Sequence, residues 1–244
     1  MNGIRCLALL LTALACGQAS GEHLRMVGDA WPPFTSQALP NNGLAVDLVD
    51  TALRRSGYTT EFVEVPWARV LRGMEQGDYD VTVAAWFSED RTRYALFSEP
   101  YLVNRIRFMR RKGLPPIYTS LADLRPFSIA VVRGYSYSPE FDQDTTLTKV
   151  PVLEFGMGAR MLAAGRVQLT LEDELVAQYH LNRDLREIRD ALEFLPLPLT
   201  ESGLHILVRR SHPQHRQIVN DFNRAIGEMR ADGTYQQIYR RHGL

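Results

Sequence analysis

The chain contains little cysteine, almost no lysine and no long apolar segment beyond its N-terminus. Cys6 and Cys16 are its only cysteines among 244 residues, and both lie in a predicted leader. We therefore predict a mature chain without disulfides, which must be held together by its core alone. Lys112 and Lys149 are the only lysines and the formal net charge is zero. A neutral chain gives no reason to expect a nucleic-acid partner.

Several motifs that define enzymes and metal sites are also missing. The run from Gly134 to Ser138 lacks the second glycine of a nucleophile elbow. The glycines around Gly156 fail as a dinucleotide fingerprint because Met161 stands where the third glycine belongs. The six histidines are scattered, so no metal site and no cofactor is predicted. A carboxylate-based enzyme stays open, because it needs only well-placed acids such as Glu172 or Asp173.

The first 19 residues have the pattern of a secretory signal. Arg5 precedes an apolar run from Cys6 to Ala15, and small residues follow up to Ala19. The run is too short to span a bilayer stably. We predict cleavage after Ala19. A lipoprotein signal ending at Cys16 is the less favoured alternative, because leucine is normally found where Ala13 stands.

Hydrophobic periodicity predicts strands and helices in alternation. Helical spacing and a glycine stop mark two early helices, and short β-branched runs separate them. The pattern restarts after Tyr101 and indicates parallel sheets with helices on their faces. The predicted helices include 44–56, 67–77 and one from about 213, and the predicted strands include 23–28, 60–65, 105–110, 127–132, 167–171 and 204–208.

Arg91 is the first candidate for ligand binding. A strand beginning at Val81 opens into a polar loop that carries Ser88 and Arg91, and open α/β sheets bind small ligands at such strand ends. The planar guanidinium can donate two parallel hydrogen bonds to a carboxylate. The alternative is a solvated surface arginine.

Two further candidates follow later strands. Ser136 lies in a loop after the strand that ends at Val132, where backbone N–H groups and a hydroxyl suit an anion. Asp173 is the middle residue of an acidic run, Glu172 to Glu174, before a predicted helix. It is interpreted either as a ligand-binding acid or as a helix N-cap, and one residue can do both.

Six motifs in the same order resemble the bacterial extracellular solute-binding proteins of family 3, which bind polar amino acids in the periplasm. They include the aromatic-Pro-Pro-Phe turn at Trp31, the path from Gly77 through Ser88 to Arg91, and the Phe-Ser-x-Pro-Tyr sequence ending at Tyr101. The loop containing Tyr135 and Ser136, the segment from Gly165 to Asp173, and the C-terminal Glu-Met-Arg-Ala-Asp-Gly-Thr-Tyr sequence complete the set. The resemblance spans roughly residue 24 to the end.

The resemblance implies an α/β, two-lobed, type II periplasmic-binding-protein-like fold, each lobe a mostly parallel sheet flanked by helices. Lobe I would comprise residues 22–103 and 210–244, and lobe II residues 104–209.

By the same resemblance, Arg91, Ser88 and the Ser136 loop would hold a ligand carboxylate and Asp173 the α-amino group. Trp31, with Trp86 or Tyr135, would form aromatic walls. We expect neither Arg91 nor Asp173 to be needed for the core.

The resemblance further implies a periplasmic, monomeric protein that captures an amino acid and delivers it to an inner-membrane ABC permease, and that is not an enzyme. Two alternatives remain on the same scaffold. One is a periplasmic enzyme similar to the cyclohexadienyl or arogenate dehydratases, and the other is an extracytoplasmic amino-acid sensor.

Overall fold

The computed structural model of the protein describes residues 21–115 and 118–243. The predicted signal segment, residues 1–19, therefore lies outside the described residues. Within the part of the chain that is described, no helix combines the length and the apolar character needed to cross a bilayer.

The N-terminal part alternates strands and helices as predicted. In chain order it contains β1 (His23–Gly28), α1 (Leu44–Arg55), β2 (Thr59–Glu64), α2 (Trp67–Gln76), β3 (Val81–Trp86) and the short β4 (Ala95–Phe97). Helix α2 ends at Gly77, whose φ of 85° is left-handed, a conformation that glycine adopts at little cost.

The remaining elements continue the alternation after the long strand β5 (Leu102–Arg111). They are β6 (Ser128–Val132), α3 (Pro139–Gln143), β7 (Thr148–Val152), α4 (Phe155–Ala163), β8 (Leu169–Asp173), α5 (Glu174–Asn182), α6 (Arg186–Arg189), β9 (Leu192–Arg209), α7 (His215–Ala231) and α8 (Thr234–Arg241).

The strands form one sheet in the order β2-β1-β3-β9-β5-β8-β6-β7, with β4 paired to β9. Strands β2, β1 and β3 are parallel at one end, and β8, β6 and β7 are parallel at the other. Antiparallel β5 and β9 join the two groups. The two-lobed α/β class is confirmed, and the residue boundaries of the lobes remain a prediction.

Two strands differ from their predicted bounds in ways that matter for the site. Strand β8 continues to Asp173, so Glu172 and Asp173, which were expected to follow the strand, belong to it, and Glu174 begins α5. Strand β9 is 18 residues long, whereas only 204–208 was predicted. Prolines argue against a strand, but Pro198 pairs with Arg107 where the ladder changes register, and this irregularity tolerates it.

Candidate ligand-binding site

Arg91 is buried where the two parallel groups of strands approach each other. It lies in a short 3₁₀ helix (Glu89–Arg93) directly after β3 and is 5% exposed. Its Nη1 donates to the Trp86 carbonyl and its Nη2 to the Gly134 carbonyl, both at 2.9 Å. The surface-arginine alternative is therefore wrong, and the guanidinium bridges the segments after β3 and β6.

The loop after β6 turns at Gly134, whose φ of 80° favours glycine. The Gly134 carbonyl accepts a second hydrogen bond, from Trp67 Nε1 at 3.1 Å. Ser136 Oγ donates to Asp142 Oδ2 at 3.1 Å, and the Tyr137 amide donates to Asp142 Oδ1 at 3.3 Å. This loop thus already holds one carboxylate, which belongs to the protein itself.

Aromatic rings fill the space between these segments. Trp86 packs edge-on against Trp31 and Tyr135, with ring centroids 5.5 and 5.3 Å away. Trp67 also packs edge-on against Tyr135. The Arg91 guanidinium lies over the Trp67 ring, 5.2 Å from the ring centroid. Aromatic faces of this kind attract planar and cationic groups.

Five of the seven predicted site residues line one small cavity, namely Trp31, Trp86, Arg91, Tyr135 and Ser136. Its free volume is about 20 Å³, which is room for roughly one water molecule. In this closed arrangement the side chains themselves fill the cleft, so an amino acid could enter only if they moved apart.

Wider cavities border the small one on both sides. One, of about 740 Å³, shares Arg91, Tyr135 and Ser136 with it, and the half-buried Ser88 lies in the wall. The other, of about 500 Å³, shares Asp29, Trp31 and Tyr135 with it. Because Tyr135 lines all three, the cavities form one interrupted cleft along the junction of the two strand groups.

Asp173 lies behind this cleft as the N-cap of α5. It is 1% exposed, and its Oδ1 accepts from the amides of Leu175 and Val176. Its Oδ2 accepts from Asn104 Nδ2 at 3.0 Å and from the Arg105 amide at 3.2 Å. The N-cap interpretation is confirmed. The expectation that Asp173 is dispensable for the core does not fit a buried acceptor of four hydrogen bonds.

Two acids that the sequence did not place in the site, the buried Glu172 and the half-buried Asp29, line the wider cavity of about 500 Å³ together with Trp31. Burial raises the pKa of Asp29 to about 7 and that of Glu172 to about 8. Burial also raises the pKa of Asp173 to about 6. At neutral pH Glu172 is therefore mainly protonated and Asp173 mainly ionised.

These raised pKa values predict that the protein is more stable at pH 5 than at pH 8. A carboxyl whose pKa is higher in the folded state holds its proton there while the unfolded chain has lost it, so stability decreases as pH rises toward the folded pKa. We expect the free energy of unfolding in urea to decrease by more than about 1 kcal/mol from pH 5 to pH 8. Glu172→Gln should flatten the profile, whereas Glu154→Gln, which changes an exposed acid of the same cavity, should not. A stability that increased over this range would contradict the assignment.

Sequence reasoning left three residues out of the predicted site, namely Asp29, Glu172 and Trp67. Asp29 directly follows β1 and Glu172 is the last residue but one of β8, so both lie near strand ends, as Arg91 does. Trp67, the first residue of α2, packs in the core and also lines the small cavity. Nothing in the helical spacing of Trp67 signals that second contact.

A cleft at strand ends between two parallel groups, crossed by two long connecting strands, defines a two-lobed binding protein of type II. The chain belongs to the bacterial extracellular solute-binding proteins, family 3, whose model matches residues 24–244.

Similar proteins share the whole architecture at low identity. The chain is 24% identical over 240 residues to a putative ABC transporter arginine-binding protein 2 of Escherichia coli (strain K12), and the match covers 96% of both chains. A histidine kinase sensor domain similar to periplasmic binding proteins superimposes with a TM-score of 0.76 at 21% identity, covering 91% of this chain and 96% of the other. The ancestral amino-acid-binding protein AncCDT-1, a precursor of cyclohexadienyl dehydratase, gives 0.71 at 21% identity and covers 90% and 94%.

Proposed function

We propose that the protein captures an amino acid between its two lobes for import by an ABC permease. The observation that carries this proposal is Arg91, a buried guanidinium that donates to two carbonyl oxygens and, within the described residues, forms no ion pair; Asp142 and Asp90 act on it only from beyond salt-bridge distance. A ligand carboxylate would supply the missing counter-charge. The family membership and the amino-acid-binding relatives support the same reading.

In the proposed complex the ligand carboxylate meets Arg91 and the Ser136 loop, while the α-ammonium approaches Asp173. Asp173 keeps its four hydrogen bonds and acts mainly through its charge. Because the two ends of the ligand contact different strand groups, binding favours the closed arrangement. The contacts of the Gly134 carbonyl with Arg91 and Trp67 open to admit the ligand.

The proposal is tested by thermal-shift screening of the purified mature chain, refolded to remove any co-purified ligand, against the common amino acids. At least one should raise the melting temperature in proportion to its affinity. Small-angle scattering with that ligand should then give a smaller radius of gyration. A ligand-stabilised protein with an unchanged radius of gyration would refute closure, and the absence of any stabilising amino acid would refute the function.

Trp31→Ala should weaken ligands with flat or cationic side chains. The ring lines the small cavity and contacts Trp86, and stacking or cation–π contacts contribute about 0.5–2 kcal/mol each. We expect roughly a two- to thirtyfold loss of affinity for arginine-, histidine- or aromatic-type ligands in calorimetry. A ligand with a small side chain serves as the control, since it cannot reach the ring. Equal affinities of variant and wild type for the larger ligands would show that Trp31 is not a wall of the site.

A dehydratase is the second candidate, because a buried, protonated Glu172 is what a general acid requires and AncCDT-1 shares the fold. Turnover of prephenate or arogenate by the pure protein, abolished in Glu172→Gln, would establish it. A protein that binds amino acids but leaves both compounds unchanged is a binder. A sensor role would instead require a signalling partner that responds to the ligand.

A further inference from the structure

Glu172 contains a buried polar atom that the fold leaves without a partner. The residue is 0% exposed. Its Oε1 accepts hydrogen bonds from Trp31 Nε1 at 3.2 Å and from the Asp173 amide at 2.9 Å. Its Oε2 is buried and has no hydrogen-bond partner among the described residues. Whether protonated or ionised, such an atom is costly to bury, so its presence calls for an explanation.

The surroundings of Glu172 are acidic. Of the neighbouring charges, Asp173 and Asp29 act on it most strongly, and both raise its pKa in addition to the larger effect of burial. Tyr135 and Tyr137 face it from the loop after β6. Two neighbours of the Glu172 carboxyl are therefore acids, and no cation among the described residues compensates its charge.

The cations nearby are engaged elsewhere. Arg107, the cross-strand partner of Glu172 in β5, donates to Glu174 Oε1 and to the Leu195 carbonyl, both at 2.7 Å. The basic side chains that line the same cavity as Glu172 also have partners: Arg160 pairs with Glu187, the His180 ring lies 3.2 Å from a carboxylate oxygen of Asp184, and Arg183 lies over the Tyr179 ring.

We propose that Glu172 is a specificity residue of the cleft, whose Oε2 accepts a hydrogen bond from a cationic side chain of the ligand. The inference rests on the proposed function and narrows its ligand to amino acids with a guanidinium or ammonium side chain. The cavity of about 500 Å³ that Glu172 borders continues from the small cavity beside Arg91 through the shared residues Asp29, Trp31 and Tyr135. A ligand anchored by its carboxylate at Arg91 can therefore extend its side chain toward Glu172.

Proton release is the consequence that distinguishes this role from a structural one. Glu172 is mainly protonated at pH 7 because its pKa is about 8, and a cation beside Oε2 favours the ionised form. Binding should thus release close to one proton from this residue at pH 7. Affinity for the cation should rise with pH and level off above about pH 8, by up to tenfold per pH unit where one proton is released.

The test is titration calorimetry of the mature chain with L-arginine and with L-citrulline, in which a neutral urea group replaces the guanidinium. Measurements in phosphate and in Tris buffer at pH 7 give the number of protons released, and a series from pH 6 to pH 8 gives the slope. Wild type should prefer arginine and release a proton with it. In Glu172→Gln, which can keep the acceptor for Trp31, the preference should fall at least fivefold at pH 8, and proton release should decrease. Glu140→Gln, which changes an exposed acid of α3 that lines neither cavity, is the control and should behave as wild type.

The inference is overturned if Glu172→Gln retains the wild-type preference, pH slope and proton release; Oε2 then has only a structural partner such as a water molecule. It is also overturned if wild type binds citrulline as tightly as arginine, or binds neither arginine nor lysine while an amino acid with an uncharged or acidic side chain binds. The proposed function survives those two results. Only a wild type that binds no amino acid at all overturns both.

Discussion

Arg91→Ala will reduce the affinity for the amino-acid ligand by at least about tenfold. A hydrogen bond to a charged group contributes roughly 1.5–3 kcal/mol, and about 1.4 kcal/mol corresponds to a factor of ten. Arg91 also connects the segments after β3 and β6 through its bond to the Gly134 carbonyl. The substitution therefore removes both a ligand contact and a contact of the closed arrangement. Titration calorimetry measures the loss.

An altered ligand separates these two contributions. Converting the ligand carboxylate to an amide should weaken wild type strongly and the Arg91 variant little, because the partner of the carboxylate is already gone. Arg93→Ala is the matched control: it changes an exposed arginine two residues away in the same 3₁₀ helix and should leave both affinities unaltered. If Arg91→Ala bound the unmodified ligand as wild type does, the carboxylate site would lie elsewhere.

Asp173→Ala is expected to lower the free energy of unfolding by about 2 kcal/mol or more. The substitution removes an N-cap, typically about 1 kcal/mol, and leaves the donors of Asn104 and Arg105 without their acceptor, at about 1–3 kcal/mol for a buried group. The cost of burying the carboxylate, visible in its raised pKa of about 6, offsets part of this sum. Urea denaturation at pH 7 measures the net effect.

Asp173→Asn is the informative companion of that variant. Asparagine caps helices about as well as aspartate, so the part of the stability that comes from the cap should return, whereas the negative charge and the acceptor for Asn104 and Arg105 should not. Ser138→Ala, which removes the N-cap of α3, measures the cost of losing a cap alone. In the Asn variant, a ligand without its α-amino group should bind about as well as the parent ligand. If Asp173→Ala were as stable as wild type, the four hydrogen bonds would contribute nothing. If Asp173→Asn still discriminated between the two ligands, the ammonium would be held elsewhere.

The sequence alone was sufficient for the architecture because its signals are local. Glycine stops, apolar periodicity and the strand end before Arg91 each depend on a few neighbouring residues. The 18-residue strand β9 was missed because Pro196 and Pro198 argue against a strand, and only the irregular ladder with β5 explains why it persists.

Side-chain contacts across the cleft were beyond such reasoning. Glu172 accepts a hydrogen bond from Trp31, which lies 141 residues away along the chain. The neighbouring Asp173 instead caps α5. The sequence shows three consecutive acids, and only the packing distinguishes a helix cap from a protonated wall of the cleft. A relative that is about 24% identical does not determine the ligand of this chain, which must be identified by experiment.

The order of the sheet has a consequence for how the chain folds as it is made. Strand β3 pairs with β9, and the C-terminal helices complete the packing around α1, where Tyr58 donates to Asp221 and Arg55 pairs with Asp232. The core around β1, β2 and β3 can therefore close only after β9, which begins at Leu192, and the C-terminal helices have been synthesised. Contacts this distant along the chain make folding slow. A chain truncated before β9 would lack the strand that joins its two parallel groups, and would remain available to chaperones and proteases.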